Sequence, residues 1–184
     1  LGDVYKRQHI KRTKDLTRIL INTYNKKYPD HFIIDLKREK ICRAAALHDV
    51  GKISISDTIL NKKGRLTDEE MEIMKTHTTK GYEIIKGFKL NDDEEQERYS
   101  LDIAKYHHER WDGRGYPEGL KGDEIPLWSQ IVGIVDVYDA LVSPRVYKKA
   151  FSHEKAMEMI LAGECGTFNP ILLECLKDAE ELLK

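Results

Sequence analysis

No apolar run in this chain approaches the roughly 20 residues that a bilayer span requires. No charged-then-apolar leader of the secretory kind stands before the first periodic segment either. Cysteine is scarce: Cys42, Cys165 and Cys175 are odd in number, widely separated, and form no C-x-x-C pair. A disulfide framework and a zinc ribbon are therefore not expected, and the three thiols read as small buried hydrophobes in a reducing cytoplasm. An excess of one charge sign is also missing. With a net charge of −1, the chain has no general attraction to nucleic-acid polymers or anionic membranes, so any phosphate binding must come from locally placed Lys and Arg. Strand-like alternation and internal repeats are absent from the pattern.

What is present is helical periodicity. The 184 residues suit one domain with a real core, and 40% hydrophobic against 34% charged residues fits a globular protein rather than a disordered tail. Leu16, Ile19, Leu20 and Thr23 recur at three- and four-residue steps until Pro29. A second helix over "DLKREKICRAAALHD" is expected to stop at Gly51. Thr67 with Glu70 forms a capping-box signature, and the helix it opens runs through Met71, Met74 and His77. "YSLDIAKYHHE" is helical, Pro126 opens the next helix, Ser152 caps another, and Pro170 sits just inside the last. The reading is an all-α bundle of about seven or eight helices over residues 9–184. Residues 1–8, "LGDVYKRQ", carry neither stripe nor cap and read as a linker or as sequence foreign to the domain.

Five of the seven histidines fall into a pattern: His9, His48, His77 and the pair His107–His108, with Asp49 beside His48 and Asp136 further on. His48, His77, His107 and Asp136 lie 29 or 30 residues apart, which places these groups on successive helices whose ends can converge. Imidazole and carboxylate without thiolate favour iron or manganese over structural zinc. Seven ligands exceed what one tetrahedral ion needs, so at least two divalent metals are implied, and Asp49 has two oxygens with which to bridge them. Asp136 lies within an apolar helix, where an unpaired carboxylate is costly. His31 and His153 lie outside the pattern and are expected on the surface. Lys52 in "HDVGK", and Arg145 and Lys148 in "SPRVYKKAFS", supply cations suited to phosphate oxygens.

Taken in order, "AAALHDVGK", the single His77, "HHERWDGRGYPEGLKGDEIPLWSQIVGIVDVYDAL" and "RVYKKAFS" resemble the HD-GYP family of HD phosphohydrolases, from about His9 to the C-terminus. The resemblance implies an HD-domain-like helical phosphodiesterase that hydrolyses the bacterial second messenger cyclic di-GMP to pGpG or GMP. His48, Asp49, His77, His107, His108 and Asp136 match the family's metal ligands, and His9 matches the histidine of its first helix. His107 and His108 are expected to serve one ion each. Lys52 matches the lysine beside the metals, with Asp49 and Lys52 expected to carry the catalytic step. Tyr116 matches the tyrosine near the substrate, Arg145 and Lys148 a phosphate-contacting pair, and Arg110 and Arg114 are candidates to face the substrate. Members with three metals carry a Glu four residues before the first His. Tyr5 stands there in this chain, which favours two ions. "TFNP" also replaces Phe-Asp-Pro near the end, and Pro144 stands where an acidic residue is common.

The chemistry expected is metal-assisted hydrolysis, in which a metal-bridging hydroxide attacks phosphorus in line. Two other readings stay open. The substrate could be another cyclic dinucleotide such as cyclic GMP-AMP, or a nucleotide, or the domain could be a silent module that senses cyclic di-GMP or docks partners. The resemblance further implies an upstream sensor or receiver domain and a contact between the GYP loop and GGDEF-type cyclases.

Overall fold

The computed structural model describes residues 2–88, 93–144 and 150–184, with the side chains of 2–7 left aside. Ten α-helices are formed by the described residues: α1 (Gly2–Lys27), α2 (Asp35–Ala45), α3 (Asp57–Leu60), α4 (Asp68–Lys75), α5 (His77–Gly87), α6 (Glu94–Tyr106), α7 (Leu127–Val142), α8 (His153–Leu161), α9 (Pro170–Asp178) and α10 (Glu180–Leu183). Eight of them have eight residues or more, in line with the expected bundle, and the described residues hold no strand beyond an isolated bridge between Asp112 and Lys121. None is long and apolar enough to cross a membrane.

Helix α7 organises the bundle. Its sequence, LWSQIVGIVDVYDALV, is apolar on nearly every side, and nine of its residues are buried. An all-round apolar helix has to be enclosed. Helices α1, α6 and α8 pack against it, while α2 and α9 pack on α1. Leu20 and Ile21 of α1, Ile41 of α2, Ile103 of α6, Ile131 and Ile134 of α7, Ile160 of α8 and Leu172 of α9 meet in one core. Each such aliphatic side chain contributes about 1.5–3 kcal/mol when fully buried.

The helix boundaries follow local chemistry. Thr67 and Glu70 form the reciprocal capping box at the start of α4, Ser152 caps α8, and Pro170 opens α9. Asp93 caps α6, which therefore begins earlier than the apolar pattern suggested. Residues 2–8, expected to be a linker or sequence foreign to the domain, continue α1 towards its N-terminus. Two further differences matter for the site. Helix α2 ends at Ala45, not at Gly51, and the chain passes through a turn into a 3-10 segment, Val50–Ser54. Helix α4 stops at Lys75, so His77 opens α5 rather than closing α4.

Candidate metal centre

Gly51 lies beyond the end of α2, in the 3-10 segment that follows it. A Cβ at this position would lie 2.5 Å from the amide nitrogen of Gly81 and 2.8 Å from the carbonyl carbon of His77. The 50–54 turn is pressed directly on the backbone of α5, and only glycine permits that approach. Gly133 does the same for α7, where a Cβ would stand 2.6 Å from the carbonyl oxygen of His107. Both glycines draw ligand-bearing segments together backbone to backbone.

The segments then deliver their side chains to one volume. His48 and Asp49 come from the turn after α2, His77 from the first residue of α5, and His107 and His108 from just past the end of α6. Asp136 comes from the middle of α7 and His9 from within α1. Two sets form: Asp49, His77, His107 and His108 in one, and His9, His48 and Asp136 in the other, each with its donor atoms within 4.8 Å of one another. His107 and His108, expected to divide between two ions, thus stand together on one side. Helix α6 ends at Tyr106, so both residues lie in the turn that follows it.

Asp49 joins the sets. Its Oδ1 lies 3.4 Å from His77 Nε2 and 3.9 Å from His107 Nε2, while its Oδ2 lies 3.5 Å from His48 Nε2. Lys52 donates to that same Oδ2. His48 Nε2 is also 3.5 Å from Asp136 Oδ1.

The donor set passes a direct test of fit to cations. His48, His77 and His107 are each 1% exposed. Their Nδ1 atoms donate to the carbonyls of Ala45, Met74 and Ile103 at 2.7, 2.7 and 2.8 Å. Those bonds fix the proton on Nδ1 and turn Nε2 inward, as metal-ligating histidines do. The three Nε2 atoms and Oδ1 of Asp49 are buried with no hydrogen-bond partner. Buried polar atoms are rarely orphaned, and four in one volume call for a positive ligand.

Electrostatics agree. Burial, reinforced by neighbouring imidazoles, pushes His107 well below the usual histidine range, and burial pushes His108 down to about 3. His77 is lowered as well, again chiefly by burial. These rings are neutral at pH 7, with lone pairs available. His48 behaves oppositely. Burial opposes its charge, but Asp49 and Asp136 prevail and raise it to about 10. Burial would raise Asp49 and Asp136, yet His48 beside them holds both well below the carboxylate range.

Around this core, Tyr116 stacks on His108 with ring centroids 4.8 Å apart, and Lys75 lies 5.7 Å over the Tyr116 ring. Glu109, absent from the sequence reading, is 5% exposed and accepts from the backbone N–H groups of Glu118, Gly119 and Leu120 at 2.7, 3.1 and 3.0 Å. It latches the glycine-rich loop to the end of α6. Arg110 does not reach towards a substrate: its guanidinium lies 4.9 Å over the Phe168 ring and donates to the carbonyls of His107 and Glu109. Arg114 is 89% exposed beside Asp112. Asp139 and Arg12 were also missed; Asp139 accepts from His9 and Arg12 behind the second set. His153, expected at the surface, shares a 2.7 Å hydrogen bond with the Tyr138 hydroxyl. Arg145 and Lys148 lie outside the described residues.

The family model described as "HD domain" matches residues 6–168. A cyclic di-GMP phosphodiesterase of Vibrio cholerae is 39% identical over 184 residues, covering 94% of this chain and 36% of its own length. A 3'3'-cGAMP-specific phosphodiesterase of the same organism is 40% identical over 144 residues, covering 78% of this chain and 27% of its own. Among solved structures, an HDG"Y"P protein from Bdellovibrio bacteriovorus shares the fold with a TM-score of 0.65 at 18% identity, covering 94% of this chain and 52% of that one. The chain spans about a third of the length of the curated relatives it matches.

Proposed function

Since this chain belongs to the HD domain family, we propose that it is a metal-dependent phosphodiesterase domain of the HD-GYP kind acting on cyclic di-GMP. The observation that carries the reading is the convergence of three imidazole Nε2 atoms and one carboxylate oxygen, all buried and unpartnered, in a chain similar to cyclic di-GMP phosphodiesterases. Two divalent ions, iron or manganese by the imidazole–carboxylate donor set, would be held by Asp49, His77, His107 and His108 and by His9, His48 and Asp136, with Asp49 reaching both. When bound, such ions supply an acidified water and neutralise charge on the phosphate.

The chain's own residues do the rest. Lys52, at the Asp49 carboxylate, places an ammonium where a non-bridging phosphate oxygen would sit beside the cations. Tyr116, held against His108 by a loop that Glu109 fastens, walls the substrate side. Arg145 and Lys148, by the family's pattern, take the phosphates. A silent sensing role would call for a depleted ligand set, and all seven ligand-type side chains are present. Cytoplasmic action, an attached sensor or receiver domain, and contact of the GYP loop with a GGDEF-type cyclase belong to the same proposal for the full-length protein.

The test is hydrolysis of cyclic di-GMP by protein loaded anaerobically with Fe(II) or Mn(II), alongside Asp49→Ala. Activity and metal content should fall together in the variant, and wild-type turnover there would sink the assignment. The 3'3'-cGAMP-specific relative makes cyclic GMP-AMP the second substrate to try, in direct competition.

A further inference from the structure

We propose that Asp139 is a positioning residue for the second cation, acting through His9. The inference rests on the two-ion reading above and goes beyond it to a residue that would touch neither ion.

His9 differs from the other anchored imidazoles. His48, His77 and His107 each donate from Nδ1 to a carbonyl three or four residues earlier in their own segment. Those carbonyls lie in the last turns of helices. His9 lies inside α1, and its Nδ1 bonds a side chain of another element instead of a carbonyl of its own.

Asp139 provides that side chain. It sits on α7 one turn after Asp136, and residues three apart share a helix face. Asp136 therefore enters the second set from the same face on which Asp139 holds that set's histidine. Asp139 is 1% exposed. Its Oδ2 accepts from His9 Nδ1 at 2.6 Å, and a carboxylate only accepts, so Nδ1 carries a proton and Nε2 is the nitrogen left to face a cation. Carboxylate pairing also raises the basicity of the opposite nitrogen. Oδ1 accepts from Arg12 Nε at 2.6 Å and from the Ser143 hydroxyl at 3.2 Å, and Arg12 Nη2 reaches Oδ2 at 3.3 Å. Arg12, three residues after His9, balances the buried charge and fixes the carboxylate plane. Thus Asp139 adds orientation without adding a third anion to Asp49 and Asp136.

The experiment measures Mn2+ stoichiometry and stepwise affinity for the wild-type chain, Asp139→Asn, His9→Ala and the double variant. Asp139→Asn should keep its first ion and bind the second roughly 10- to 100-fold more weakly. In the His9→Ala background the same change should add nothing beyond about twofold, the usual error of additivity. Unchanged second-ion affinity in Asp139→Asn overturns the proposal, as does a loss equally large without His9, which would make Asp139 a plain strut between α1 and α7. A wild-type chain that binds only one ion overturns the two-ion reading, and this proposal with it. A second measurement needs no variant. In wild-type protein labelled with 15N-histidine and titrated with Zn2+, His9 should carry its proton on Nδ1 and shift at Nε2. The opposite tautomer, or a shift at Nδ1, refutes the assignment.

Discussion

Gly51→Ala puts the geometry of the site under the most direct test. The new methyl would fall 2.5 Å from the Gly81 amide nitrogen and 2.8 Å from the His77 carbonyl carbon, inside contact with the carbonyl oxygen as well. Unstrained heavy-atom contacts need about 3.5 Å, so α5 must withdraw by at least about 1 Å. No side chain can rotate away, because every atom in the way is backbone. Overpacking of this kind costs about 1–3 kcal/mol or more. In a domain of this size each kcal/mol moves the melting temperature by about 2–4 °C, so a cost of about 3 kcal/mol lowers it by about 6–12 °C. His77 would travel with its carbonyl, widening its 3.4 Å approach to Asp49. A displacement of about 1 Å at a reacting centre can cost about 100-fold in rate. Differential scanning calorimetry and turnover on the metal-loaded variant read the two effects. A melting temperature within about 2 °C of wild type, with normal turnover, would refute the claim that backbone contact at Gly51 sets the site's spacing.

Two further outcomes follow from the charge and hydrogen-bond pattern. His48 is held protonated up to about 10 in the metal-free protein by Asp49 and Asp136 against the cost of burial, so a cation must displace its proton. Metal affinity should rise up to about 10-fold per pH unit between about pH 7 and 9 with release of one proton, and calorimetry in buffers of different ionisation enthalpy counts that proton. The same group stabilises the metal-free fold fully below its unfolded pKa of about 6.5, and that contribution is lost as pH rises through about 10. A metal-free protein that gains stability across that window contradicts the assignment. Glu109→Ala removes the acceptor for three backbone N–H groups, each worth about 1–3 kcal/mol if left unsatisfied. Amide exchange at Glu118, Gly119 and Leu120 should accelerate and KM should rise, and unaltered exchange would show that the loop is held by other means.

The chain's helices were legible because their signals are local. The caps at Thr67 and Ser152, Pro170 at the start of α9 and the apolar run of α7 each need only a few neighbouring residues. The ligand-type residues were legible for a different reason: their residue types and regular spacing have few other uses in a helical bundle. The supporting carboxylates were not. Glu109 and Asp139 depend on partners 9–11 and 127–130 residues away, and nothing in the flanks of Glu109 distinguishes it from a surface acid. Asp139 did leave a trace, a second carboxylate one turn after Asp136 in an otherwise apolar helix. Arg110 misled because its loop is rich in glycine and charge, yet its guanidinium lies over Phe168 from a distant part of the chain. Helix α2 misled because periodicity cannot register the backbone of α5 pressing on Gly51.

Helix α1 has a mechanical consequence. Its 26 residues make a rod about 39 Å long, and His9 rides on that rod, fastened to α7 by one carboxylate. Hydrogen bonds of this kind lose their geometry beyond about 3.2 Å. The His9–Asp139 contact is 2.6 Å, whereas sliding the rod by a single residue moves it about 1.5 Å. A push or pull along the axis smaller than one helical step is therefore enough to uncouple the histidine.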